Sequence, residues 1–151
     1  MVELPERALA AYPRTLQLTT RWFDNDAFGH MNNAVHYQFF DTAVNLLLRE
    51  LGKMQTANDD ERFLVVETGC RYFAEMAYPD LITIGLRVGH LGNSSVRYDL
   101  ALFRNGETTA AAVGFLVHVN TAAGLPTPFT NALRAKLSCF QGHTSLPAEH
   151  P

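Results

Sequence analysis

Residues 21 to 40 read RWFDNDAFGHMNNAVHYQFF, the densest set of groups in the chain that could do chemistry. Two carboxylates, Asp24 and Asp26, precede Gly29, His30, Asn32 and Asn33, and a stretch of helical spacing follows at once. A carboxylate can serve as general base or nucleophile, and an imidazole can carry a proton. The start of a helix adds unpaired N–H groups and about half a positive charge, which favours an anion or a developing oxyanion in front of it.

Familiar site patterns fit this spacing poorly. Asp24, Asp26 and Gly29 match the first, third and sixth places of an EF-hand loop, but Phe28 stands where an oxygen ligand is required and Val35 where the closing glutamate belongs. His30 and His36 share a helix face poorly, so no metal site is expected. The chain has neither the G-x-S-x-G of a nucleophile elbow nor a phosphate-cradling G-x-G-x-x-G, and Gly92-Asn93-Ser94-Ser95 reads as a hairpin turn. Cys70 reads as a small packed residue in mid-strand. No cofactor is implied.

The elements around the segment follow from periodicity. Leu16, Leu18 and Trp22 alternate with Gln17, Thr19 and Arg21, which predicts a half-buried strand over about 15 to 23. Val35, Phe39, Phe40, Ala43, Leu47 and Leu51 predict one long helix over 34 to 51, with Asn32 or Asn33 as N-cap and Gly52 just past its end. Phe39, Phe40 and Leu47, like Phe73, are core candidates before they are pocket candidates. Strands are predicted over 63–73, 81–90, 95–104 and 107–120, with Asn105-Gly106 as a tight hairpin between the last two. Val113, Phe115, Val117 and Val119 share one face of the final strand, and Thr130 caps a short helix reaching about Phe140. Short turns between successive strands imply antiparallel pairing, and the apolar helix is the element available to cover the sheet. The expected class is α+β: a five-stranded antiparallel sheet curled around one long helix, with a short C-terminal helix.

The chain has 151 residues, 47% hydrophobic and 18% charged, which suits one domain over 1–140 followed by a tail at 141–151. The formal net charge is -3 and the basic residues form no run, so nucleic acid is not an expected partner. Cys70 and Cys139 form no C-x-x-C pair, which points to a reducing, cytoplasmic setting. Gly114 interrupts the most apolar stretch, 110–117, which falls far short of the roughly 20 residues that cross a bilayer. The first residues lack the basic-then-apolar order of an export signal, so the mature protein is expected to begin near Met1.

The segment resembles the hotdog-fold thioesterases of the 4-hydroxybenzoyl-CoA and acyl-CoA thioesterase superfamily. The resemblance rests on Asp26, Gly29, His30-Met31-Asn32-Asn33 and the aromatic-rich Tyr37 to Phe40, and the order of elements extends it over about 12 to 140. It implies an acyl-CoA substrate, with coenzyme A as part of that substrate, and no separate cofactor. It also implies a homodimer, or a tetramer built from two dimers, with the sheets continuing across the interface and the active site lying there. By position, Asp26 matches the family carboxylate that acts as general base on water or as nucleophile on the thioester carbonyl, and the Asn33 N–H matches the donor that polarises that carbonyl. Physically this is sufficient: a fixed donor to an oxyanion is worth about 10²–10³ in rate and a placed base about 10²–10⁴.

The other residues carry weaker assignments. Asp24 reads as a turn residue satisfying loop amides. His30 serves to support Asp26 or the helix start, or to transfer a proton directly; Gly29 and Asn32 belong to the substrate-binding loop. By the same resemblance Glu67 is a candidate for a second group facing the thioester, and Ser95 for one near the acyl or pantetheine site. Arg71, Arg87 and Arg97 lie on solvated sheet surface or meet the nucleotide phosphates of coenzyme A. Phe28 stands where plant acyl-carrier-protein thioesterases have Asn, which argues against a carrier-protein substrate. An enoyl hydratase of this fold would need Asn-Pro between an Asp and a His five apart, which is missing; a non-catalytic acyl-CoA binding module remains the other alternative.

Overall fold

The computed structural model describes residues 3–53 and 60–142. Its elements are β1 (Arg14–Thr19), α1 (Val35–Glu50), β2 (Glu61–Tyr72), β3 (Leu81–Leu91), β4 (Ser95–Arg104), β5 (Ala112–Ala122), the two-residue β6 (Leu125–Pro126) and α2 (Asn131–Ser138). The sheet runs β1-β3-β4-β5-β2 with every neighbour antiparallel, and β6 folds back on the end of β5. This is the expected curled five-stranded sheet around a long helix, closed by a short C-terminal helix.

Side-chain size explains how closely the sheet wraps α1. The helix buries Val35, His36, Phe39, Phe40, Ala43, Val44, Leu47 and Leu48 against it. Phe40 needs a gap in β5, and Gly114 supplies one: a Cβ there would lie 2.4 Å from the Phe40 ring and 2.4 Å from the Gly69 carbonyl. The helix ends in a Schellman turn, with the Lys53 N–H on the Leu48 carbonyl, the Gly52 N–H on the Arg49 carbonyl, and Gly52 at φ 77. At the other helix the Thr130 hydroxyl accepts from the Leu133 N–H, as its N-cap position predicts.

Several boundaries differ from the periodic reading. β1 stops at Thr19, and Trp22–Asp24 form a 3₁₀ turn, so Trp22 leaves the strand and is 72% exposed. Asn105 and Gly106 adopt the two positive φ angles that their sequence suggests and close a turn with the Glu107 N–H on the Arg104 carbonyl, but the connection between the paired strands β4 and β5 runs on from 105 to 111 and is not a tight two-residue hairpin. The Asn105 main chain instead donates to Leu81, and β5 begins only at Ala112 because residues 107–111 meet the N-terminal arm, with Leu9 bonded to Thr108 and Ala110 to Arg7. The Val113 face of β5 is the outer one. Val113 packs with Tyr12, Ala101 and Phe103 beneath Leu4 and Leu9, while Ala112 and Leu116 meet the helix. In the expected tail, Gln141 bridges Val88, and residues 143–151 lie outside the described residues.

Candidate functional site

The loop between β1 and α1 is folded back on itself by a short two-sided ladder. The Asn32 N–H donates to the Asp24 carbonyl at 2.8 Å, Asn25 bridges Met31, and the Asp26 N–H donates to the His30 carbonyl at 2.8 Å. The reversal passes through Gly29, whose φ of +78 favours glycine although a Cβ there would meet nothing. Five sequence candidates, Asp26, Gly29, His30, Asn32 and Asn33, are thereby drawn into one junction at the tip of α1.

Asp24 and Asp26 have separate roles in it. Asp24 is buried, and its carboxylate accepts from the Arg21 N–H at 2.7 Å and from the Arg21 guanidinium at 3.0 and 3.3 Å, which is structural. Asp26 is half-buried. Its Oδ1 accepts from the Phe28 N–H at 2.8 Å and more weakly from the His30 N–H at 3.4 Å, while Oδ2 has no partner among the described residues.

At the helix tip the N–H groups around Asn33 are spoken for. The Asn32 N–H goes to Asp24, the Asn32 side chain accepts from the Ala34 N–H at 2.9 Å, and the Asn32 carbonyl accepts from the Val35 N–H at 2.9 Å. Asn32 thus closes the turn that leads into α1, whereas the N-cap position itself, expected at Asn32 or Asn33, is Ala34 and carries no side-chain bond. The Asn33 N–H has no partner among the described residues. The Asn33 carbonyl is pinned from the sheet by the Tyr72 hydroxyl at 2.6 Å.

At the tip lies a cavity of about 240 Å³, lined by the apolar Met31, Phe73, Ala74 and Met76 together with His30, Asn33, His36, Tyr72 and Glu75. His30 Nε2 lies 2.9 Å from Glu75. The Met31 N–H donates to the Met76 carbonyl at 2.6 Å, which ties the Asp26 loop to the segment leaving β2. His36 is buried with its ring edge-on to Tyr72 at 4.6 Å and its Nδ1 without a hydrogen-bond partner. Burial lowers its pKa, partly opposed by the nearby main chain of Asn32 and Asn33, so the ring is held neutral. Asp26 borders this cavity through His30 rather than lining it.

Glu67 and Ser95 are not drawn into the junction within one protomer. Glu67 pairs Val117 in mid-strand, and Val117 alternates with the core residue Leu116, so Glu67 falls on the outer face. Ser95 opens β4 beside the Gly92 turn, at the end of the sheet where Lys136 of α2 reaches the Leu51 carbonyl past the C-terminus of α1. Arg87 and Arg97 are not free surface groups, since both ion-pair with Asp99, at 3.1 and 3.0 Å. Tyr72, Glu75 and His36 complete the junction without having been singled out by spacing. Tyr72 ends a strand, Glu75 sits in the irregular turn after it, and the spacing of His36 from His30 suggests only a poor metal pair. Among the described residues no three His, Cys, Asp or Glu side chains are grouped to hold a metal ion, and no helix is long and apolar enough to cross a membrane.

Comparison with known proteins places the chain. It is similar to the PA5185 protein of Pseudomonas aeruginosa strain PAO1, with 42% identity and a TM-score of 0.86 over 92% of this chain and 99% of that one. A thioesterase of Thermus thermophilus, solved with coenzyme A and Zn, shares 27% identity and a TM-score of 0.75 over 87% of this chain and 96% of that one. The BH1999 gentisyl-coenzyme A thioesterase shares the fold, with 21% identity and a TM-score of 0.74 over 82% of this chain and 99% of that one. No curated protein matches the sequence significantly. The sequence profile of the thioesterase-like superfamily matches residues 20–137, from the end of β1 through α2, and the chain belongs to that superfamily as a hotdog-fold thioesterase.

Proposed function

We propose that the protein hydrolyses acyl-CoA thioesters to the free acid and coenzyme A at the tip of α1. The observation that carries the reading is the pairing, in one junction, of an N–H without a partner at Asn33 with a carboxylate oxygen without a partner at Asp26. As the thioester carbonyl is attacked, negative charge builds on its oxygen, and a fixed N–H at the positive end of a helix stabilises that charge where it develops. Asp26 either takes the proton of the attacking water, or attacks the carbonyl carbon itself to form an acyl anhydride that a water then hydrolyses to the free acid and the restored carboxylate; in both routes the coenzyme A thiolate leaves and is protonated. The Phe28 and His30 N–H groups hold Oδ1, which aims the remaining oxygen.

His30, Gly29 and Asn32 shape the loop, and His30 with Glu75 flanks the reacting centre. The outer edge of β2 has no strand partner among the described residues and carries exposed Leu64, Val65 and Val66. Such an edge invites antiparallel pairing with a second copy. In that dimer the far end of the partner's β2 lies beside Tyr72, bringing the partner's Glu67 towards the two-fold axis and its Ser95 end towards this site. The bound coenzyme A in the Thermus thermophilus thioesterase supports a coenzyme A substrate.

Free-thiol release from short, medium, long and aromatic acyl-CoAs, measured on the purified protein, tests the reading. Release that Asp26→Asn abolishes is expected. Binding of acyl-CoA without release would replace hydrolysis with a non-catalytic binding role, and loss of the enoyl chromophore would replace it with hydration.

A further inference from the structure

Arg7, on the N-terminal arm, is exposed yet held in place. Its Cζ lies 3.9 Å from the centre of the Phe73 ring, and its Nε and Nη2 donate to the Ala110 carbonyl at 3.2 and 2.9 Å. Both bonds use one side of the guanidinium. The Nη1–Nη2 fork on the other side has no partner among the described residues, and no carboxylate there neutralises the charge. The Arg71 side chain is likewise exposed and unpaired among those residues. It pairs in register with Val113, which packs beneath Leu4 and Leu9, so it stands on the outer face beside the same arm. A fixed guanidinium fork suits a phosphate, and holding it in advance lowers the ordering cost of binding. We infer that Arg7, with Arg71 beside it, binds the diphosphate of coenzyme A where the pantetheine arm leaves the cavity past Phe73. The inference rests on the hydrolase reading above and names the part of the substrate that gives it affinity.

The end of β2 links the two places. Tyr72 touches the Asn33 carbonyl, so a thioester held by the Asn33 N–H lies beside the last residue of the strand. Phe73 comes next; it lines the cavity and carries the Arg7 guanidinium on its ring. From the thioester sulfur to the diphosphate, the pantetheine arm has about as many bonds as four extended residues, roughly 14 Å, and so outreaches the two residues it must pass. Pantetheine itself is uncharged, which makes the diphosphate the first anionic group along it. The other charged groups at this mouth are already matched. The Glu75 carboxylate lies 2.9 Å from His30 Nε2, while Arg104 donates to the Glu75 carbonyl and ion-pairs with Glu107 at 3.2 Å. Arg87 and Arg97 share Asp99. Arg7 and Arg71 are thus the positive charges beside Phe73 that the fold leaves unmatched among the described residues.

The test compares butyryl-CoA, butyryl-dephospho-CoA and S-butyryl-pantetheine by free-thiol release at low ionic strength. In the wild type both nucleotide-bearing substrates are expected to exceed the pantetheine ester in kcat/KM by about tenfold or more, through KM. In the double variant Arg7→Gln, Arg71→Gln the ratio is expected to fall to within about threefold of one. Loosening of the arm against Phe73 would slow all three esters alike and leave the ratio in place. A ratio that survives the double substitution therefore overturns the inference, as does a wild-type ratio near one. A preference shown by butyryl-CoA and lost in its dephospho form overturns the assignment to the diphosphate in favour of the 3′-phosphate. In all three cases the hydrolase reading stands. Release from none of these thioesters, nor from longer or aromatic ones, overturns the hydrolase reading and this inference together.

Discussion

The Tyr72 hydroxyl, at the last residue of β2, reaches the Asn33 carbonyl at 2.6 Å across the mouth of the cavity. A strand end thereby sets the position of a helix tip, and the unpaired N–H of the same residue is the one that the proposed mechanism assigns to the oxyanion. Tyr72→Phe leaves the ring against His36 and removes the hydroxyl that makes this bond. Its expected cost is about 1 kcal/mol in stability, read as a lower denaturation midpoint. The drop in kcat is expected to be larger, about tenfold or more, because a donor displaced by a fraction of an ångström loses much of its effect on the oxyanion. A fall in stability with kcat unchanged would make the bond purely structural.

Two carboxylates separated by one residue should fail in different ways. Asp24→Ala removes the acceptor for three Arg21 donors from a buried position and is expected to lower stability by about 1–3 kcal/mol. The folded fraction should keep its rate constant. Asp26→Asn retains an oxygen for the Phe28 N–H, so the melting temperature should move little while kcat falls by about 10²–10⁴. Thermal melts and thiol-release assays on both variants decide the matter; equal kinetic losses would remove the distinction.

The β2 edge gives a test of assembly. Val66 is the extra residue of the bulge between Val65 and Glu67, and it is 59% exposed. If this edge pairs with a second copy, Val66→Lys places a charge in the seam, and sedimentation should show a two-chain species turning into single chains with loss of activity. A variant that remains dimeric would place the contact elsewhere.

Much of this architecture was legible because it depends on local signals. The Asp26 loop carries its own turn chemistry in Asn25, Asp26 and Gly29, and Asn32 closes the turn that follows, so the junction could be anticipated from residue types alone. Gly52 ended α1 where a left-handed residue was needed. Trp22 was misplaced because period-two alternation continues past Thr19, whereas Asp24 folds the chain into a tight turn by binding the Arg21 N–H. The polarity of the β5 faces was equally hidden. Val113 and Val117 look like core, but the N-terminal arm covers part of the outer face, and Gly114 on the inner face yields its room to Phe40. Tyr72 and Glu75 could not be read at all, since they meet Asn33 and His30 only through sheet register, and no spacing rule spans that distance.

Two buried histidines make stability depend on pH in a direction that can be worked out. Burial lowers the pKa of His36, and lowers that of His118 to about 4, with Asp41 opposing only weakly. His118 is packed against Phe63 and Tyr98, with its Nδ1 also unpartnered. In the unfolded chain both rings protonate near pH 6.5, so below that value the unfolded state binds more protons than the folded one. Their contribution is therefore complete above pH 6.5 and is lost as the pH falls, with His118 exhausting its share near pH 4. A shift of that size corresponds to about 3 kcal/mol for His118. Urea midpoints measured from pH 7.5 to 4 should fall through this window, and His118→Phe should flatten the fall whatever its own effect on stability at neutral pH. A wild-type profile that is level between pH 6.5 and 4.5 would mean that neither ring is held neutral by the fold.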